Sequence, residues 1–237
     1  MVFGTTHWSV VLQAGEEQSP QAARALEELC RTYWYPLYAY VRRRDYSPED
    51  AQDLTQGFFA RLLTTHSLAG VQPDRGRFRS FMLVALRRFL ANQAERGRTA
   101  KRGGHQAHIP FDGREAEERY RLDAEEQSTP DKLFDRAWAL SVMESASVRL
   151  QEEYRLEGKE KHFERLRQFL AADEVEEKMT YAAVGAELGL SEGAVKLRVH
   201  RLRGRYRELL REQVAQTVGS AADLEDEIQS LRAAFWG

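Results

Sequence analysis

The chain has 237 residues, with 35 Lys and Arg against 37 Asp and Glu, a formal net charge of -2, and one cysteine. A single thiol excludes an internal disulfide and fits a reducing compartment. No apolar run approaches the ~20 residues of a membrane helix. The start, MVFGTTHWSVVLQAGEE, lacks a basic segment followed by a long apolar one, so the expectation is a cytoplasmic chain without membrane insertion.

Leu, Ala, Glu and Arg recur at three- and four-residue spacing, and β-branched alternation is scarce, which predicts an all-α fold. A first domain covers 1–97, helical from about Ser19 to Gly97. Within it Leu26, Leu29, Cys30 and Tyr33 share an apolar pattern that makes Cys30 a small buried hydrophobe. Ser47-Pro48-Glu49-Asp50 reads as a helix start, with a capping hydroxyl, proline in the first turn and acids after it. Leu54, Phe58, Phe59 and Leu62 follow on one face. A second start near Arg77-Phe78 leads into the stripe Phe81, Met82, Ala85, Leu86, Phe89, to which Phe81 belongs as core. Residues 98–129, basic and glycine-rich and then acidic, read as a flexible linker. Helix resumes at Pro130 after Ser128-Thr129, opening a second helical domain over 130–218. Residues 151–173 read as a supporting helix. A tail over 219–237 carries Leu224, Ile228, Leu231 and Phe235 at helical spacing and is expected to fold onto the second domain.

The charge is segregated. From Arg75 to Arg102 there are nine basic residues and one acid, Glu95. A second basic block contains Lys196, Arg198, Arg201, Arg203, Arg205, Arg207 and Arg211, and acids dominate from Asp112 to Glu177. Local basic patches, rather than net charge, mark a polyanion footprint, although such runs are also ordinary solvated helix faces.

The segment TYAAVGAELGLSEGAVKLRVHRLRGRYRELL predicts a helix-turn-helix. Thr180 caps a short helix with Ala183, Val184 and Leu188. Gly189 suits a positive φ at the reversal, Leu190 plugs the gap, and Ser191 caps a second helix with Glu192 in its first turn. Val195, Val199, Leu202, Tyr206 and Leu209 fall on its inner face. Gly193, Lys196, Leu197, His200 and Arg201 fall on the outer face near its N-terminus, the end that enters a major groove. Gly193 and Ala194 are small enough for close approach to phosphate, and Arg201, Arg203 and Arg205 suit phosphate contact.

The first domain then allows a resemblance. Ala25-Leu26-Glu27-Glu28-Leu29, Tyr38 to Arg43 and SPEDAQDLTQGFFARLL (Ser47 to Leu63) resemble region two of bacterial sigma factors, with the extracytoplasmic-function group the nearest in pattern. Gly57 stands where glutamate is common. The resemblance implies a helix that docks on RNA polymerase through Asp50, Asp53, Leu54, Gln56 and Phe58. The stretch Gly76 to Gln93 is similar to the family's promoter-melting and minus-ten segment. It implies DNA contacts by Arg75, Arg77, Phe78, Arg79, Arg87, Arg88, Asn92 and Arg96, since a melted strand needs a basic groove and a platform for bases. The helix-turn-helix resembles region four, reader of the upstream duplex element. That assigns upstream contacts to Ser191, Gly193, Lys196, Leu197, His200, Arg201, Arg203 and Arg205. Ala182-Ala183 and Leu197 depart from the common pattern there, and an apolar side chain at 197 suits a thymine methyl.

The resemblance implies a two-domain subunit whose partners are core RNA polymerase, promoter DNA and an anti-sigma factor. The rivals are a one-component helix-turn-helix regulator acting without polymerase, and a protein-interaction adaptor. His7, His66, His105, His108, His162 and His200 lack zinc spacing, and no nucleophile elbow, kinase signature or phosphate loop is present. No enzyme, metal or cofactor is expected.

Overall fold

The computed structural model describes residues 7, 20–64, 77–97, 113–123, 129–170 and 180–236. Secondary structure among them is helical: α1 Pro20–Arg42, α2 Pro48–Thr64, α3 Phe78–Gly97, α4 Gly113–Asp123, α5 Pro130–Leu156, α6 Glu160–Leu166, a 3-10 turn Arg167–Phe169, α7 Tyr181–Leu188, α8 Glu192–Ala215 and α9 Ala221–Trp236. Their contacts form two units. One joins Met1–Ser141 to Val214–Gly237, and the other is Val142–Gln213.

In the first unit every residue of α1 from Tyr33 to Val41 is buried, so the second half of this helix is enclosed on all sides and runs through the core. The expected start of α2 is present: Ser47 Oγ accepts from Asp50 N–H at 3.0 Å, with Pro48 in the first turn. Ala51, Phe58, Phe59 and Leu62 then turn inward with Phe78, Met82, Leu86 and Phe89 of α3. The rings interlock edge to face, with Tyr33 against Phe78 at 5.0 Å and Phe58 against Phe89 at 5.8 Å. Leu133, Phe134, Ala137 and Trp138 of α5 are buried in this unit too. Cys30 is 2% exposed, and burial pushes its thiol up to about 12.

Two expectations change here. Within the stretch read as a linker, 113–123 is helical and fastened to α1. Glu117 takes a paired Arg42 guanidinium at 2.8 and 2.9 Å and the Tyr38 hydroxyl at 2.7 Å. The Tyr35 hydroxyl donates to Asp123 at 2.6 Å, and Arg42 lies over the Tyr120 ring at 4.8 Å. Glu117, Tyr120 and Asp123 occupy the side facing α1, so an acidic segment that looks merely solvated has a specific basic and phenolic partner. The rest of that stretch, 98–112 and 124–128, lies outside the described residues. The tail also differs. As α9 it pairs with Arg77 and Arg79 in the first unit, because its acids Asp226 and Glu227 find guanidinium partners there.

The second unit is built on Ala146, Leu150, Phe163, Leu166, Phe169, Val184, Val195, Val199, Leu202 and Leu209. Phe163, Leu166 and Phe169 come from α6 and the 3-10 turn, so the described part of the 151–173 segment, 151–170, supplies core side chains beneath the helix-turn-helix.

Candidate nucleic-acid interface

The helix-turn-helix assembles from local signals. Thr180 Oγ1 accepts from Ala183 N–H at 3.2 Å and starts α7. Gly189 ends it in the left-handed region, at φ 66° and ψ 34°, where a β-carbon is strained. Ser191 Oγ accepts from Ala194 N–H at 3.2 Å and starts α8. Gly185 is a residue the sequence reading missed. Its carbonyl brings the chain back on itself: Leu190 N–H donates to Gly185 O at 2.8 Å, and a β-carbon at 185 falls 2.6 Å from Leu190 O. Only glycine fits between the two helices at that point.

On α8, Val195, Val199, Leu202 and Leu209 are buried, and the Tyr206 hydroxyl donates to Met143 O at 3.1 Å. The opposite side near the N-terminus is open. Ser191, Gly193, Lys196, His200 and Arg201 are exposed, and Leu197 is 51% exposed. Lys196 lies 2.6 Å from Glu192 and 5.7 Å from the Tyr181 ring centre. Such an exposed pair holds weakly and yields to a stronger anion.

Arg203 and Arg205 differ from Arg201. Arg203, two residues on, lies about 200° around the helix and turns away from the outer face, whereas Arg205, four residues on, stays within about 40° of Arg201 one turn later and is taken up by acids. Arg203 Nε donates to Phe169 O at 2.8 Å, which braces the 3-10 turn. Arg205 meets Glu153 at 2.7 Å, Glu208 at 2.9 Å and Glu212 at 3.3 Å. The hydrogen bond from Arg205 holds the Glu153 carboxyl below its ordinary range. Both arginines are braces inside the second unit, a correction to their expected place on phosphate.

The α3 block is altered more deeply. Phe78 is fully buried against Tyr33, so it offers no platform to a base. Arg77 pairs with Asp226 at 2.8 Å. Arg79 is buried, pairs with Asp135 and Glu227, and lies 4.5 Å over the Trp138 ring. Arg87 pairs with Asp131 and donates to the Tyr40 hydroxyl at 3.1 Å. Arg88 and Asn92 remain exposed. Arg75 and the Arg96 side chain lie outside the described residues.

On α2, Asp50 and Asp53 are exposed, and Leu54 and Gln56 are half-buried. Phe58 is 3% exposed and belongs to the core, because its ring lies on Phe59 and Phe89. Its expected docking role is therefore withdrawn.

Comparison with protein-family models, with curated proteins and with solved structures found no match. Among the described residues there is no group of three or more metal-ligating side chains, and no helix is long and apolar enough to cross a membrane.

Proposed function

We propose that the chain is a sigma factor: a cytoplasmic binding protein that joins core RNA polymerase and directs it to promoters for transcription initiation. The observation that carries the reading is the open N-terminal face of α8. It sits on a helix-turn-helix with both caps, the left-handed Gly189 and the close approach at Gly185. A helix end of this kind places Gly193, Leu197, His200 and Arg201 toward base edges and phosphates of a major groove. The exposed acids Asp50 and Asp53 on α2 supply the polar face expected to dock on polymerase, and Arg88 and Asn92 on α3 remain open to the melted strand. An anti-sigma factor is a natural further partner. Tethering on polymerase lets a modest upstream contact suffice, through its effective concentration.

One observation favours the second reading, a one-component regulator. Arg77, Arg79 and Arg87 are already paired with acids of their own chain, which weakens the case for a melted-strand groove. Reconstitution separates the two. A sigma factor co-purifies with bacterial core polymerase and directs initiation from a promoter library. A regulator footprints duplex DNA alone and leaves core polymerase unbound. In the polymerase assay Asp53→Ala weakens core binding and spares isolated duplex binding; the opposite pattern reverses the assigned roles.

A further inference from the structure

Arg77 and Arg79 face acids that arrive 149 and 148 residues later in the chain. Arg77 lies 2.8 Å from Asp226 and 3.4 Å from Glu227, and Arg79 lies 3.0 Å from Glu227. Two backbone features deliver α9 to this place. Phe78 N–H donates to Thr217 O at 2.9 Å, beside an antiparallel bridge between Arg77 and Val218. Ser220 Oγ then accepts from Asp223 N–H at 3.1 Å and starts α9, so residues 226 and 227 come round about one turn later. From 220 onward the chain carries Asp223, Glu225, Asp226 and Glu227 against a single base, Arg232.

The docked face of α9 is unusual for a permanent core helix. Leu224 and Leu231 are buried, and between them, at helical spacing, stands the carboxylate of Glu227, 1% exposed. Burial pushes that carboxyl up, and Arg79 and Arg77 pull it back. A charge at this position makes docking depend on the two arginines and offsets much of the attraction by desolvation. The outer pair is looser still, since Asp226 is 60% exposed. Arg79 also keeps Asp135 and the Trp138 ring, so its guanidinium stays compensated when α9 leaves. Carboxylates at these distances offer arginine the same paired oxygens that a nucleic-acid backbone does.

We propose that α9 is an intramolecular acidic competitor at this end of α3: Asp226 and Glu227, held in place by Arg79, occupy Arg77 in place of a backbone phosphate, and a single DNA strand engages Arg77 only when the helix is displaced. The inference rests on the reading of α3 as a promoter-strand segment.

The test uses the full-length chain, a labelled mixed-sequence single-stranded oligonucleotide, and anisotropy titrations over a range of salt. Asp226→Asn/Glu227→Gln is expected to bind about fivefold tighter near 0.1 M salt, with a log–log salt slope steeper by about 0.7, the share of the one freed arginine, Arg77. Adding Arg77→Ala should remove most of the gain. A folded double variant with the parent's affinity and slope overturns the proposal, as does a gain that survives Arg77→Ala. If the double variant loses its helical circular dichroism, the exposed Asp226→Asn decides alone: about threefold tighter binding supports the competitor, and unchanged binding rejects it. Co-purification with core polymerase runs in parallel. A chain that binds core but shows no gain sinks the competitor and spares the sigma reading. A gain without core binding does the reverse.

Discussion

Two arginine-rich helices of this chain treat their charge in opposite ways. Just before α3 and along it, Arg77, Arg79 and Arg87 are each met by acids of the same unit. On α8, Arg203 and Arg205 are met too, but Gly193, Lys196, Leu197, His200 and Arg201 on the outer face are exposed, and Arg201 has no ion pair among the described residues. The difference teaches that a run of basic residues does not measure polyanion affinity. What counts is how many guanidinium groups remain unanswered within the fold, because a paired one must first exchange partners.

The comparison breaks most sharply at Arg79. Arg79→Ala leaves the buried Glu227 carboxylate with Arg77 alone, 3.4 Å away, and an expected loss of about 3 kcal/mol should appear in urea unfolding. A loss below about 1 kcal/mol means that Arg79 is not the support described here. Next in size is Gly185→Ala. Its β-carbon meets Leu190 O at 2.6 Å, so the turn must open, at about 2 kcal/mol and with loss of duplex binding in a gel-shift titration. Wild-type binding by this variant contradicts the close approach.

Arg201→Ala and Arg205→Ala should then separate. The first is expected to keep stability within about 0.5 kcal/mol while duplex affinity falls about tenfold. The second should lose about 1 kcal/mol of stability through its acids and change affinity little. Equal effects of the two on DNA erase the distinction between open and committed arginines.

The smallest effect is pH-dependent and local to the first unit. The hydrogen bond from Arg42 holds Glu117 below its ordinary value of 4.5. A depressed carboxyl gives stability that is fully present above the unfolded value and lost as pH falls through the folded one. The attachment of α4 should therefore be intact at neutral pH and weaken below about pH 4.5, with Glu117→Gln flattening that acid limb in a stability-versus-pH series.

Whatever depends on neighbours in sequence was legible in advance. Ser47 before Pro48, Thr180, Gly189 and Ser191 are caps and a turn whose chemistry is complete within four residues, and the structure places each as read. The inner stripe of α8 was readable for the same reason, since 3.6-residue periodicity is a property of one helix. The partners of Arg77, Arg79 and Arg87 lie 44 to 149 residues away, and no local pattern points to them. Phe58 and Phe78 show the same limit. A resemblance assigns a role to a position, but only packing decides whether the ring faces a partner or the core. Gly185 was invisible because its neighbour in space is a carbonyl of the next turn.

The burial of Cys30 has a practical consequence. Its side chain is enclosed and burial pushes the thiol up, so little of it is thiolate at neutral pH. The wild-type chain is therefore expected to react slowly with maleimides and other thiol reagents while folded, which a thiol titration with and without denaturant checks. A cysteine introduced at an exposed position such as Gly193 becomes the favoured point of attachment for a fluorophore or a photocrosslinker. The chain arrives ready for single-site labelling, without first having to be stripped of its own thiol.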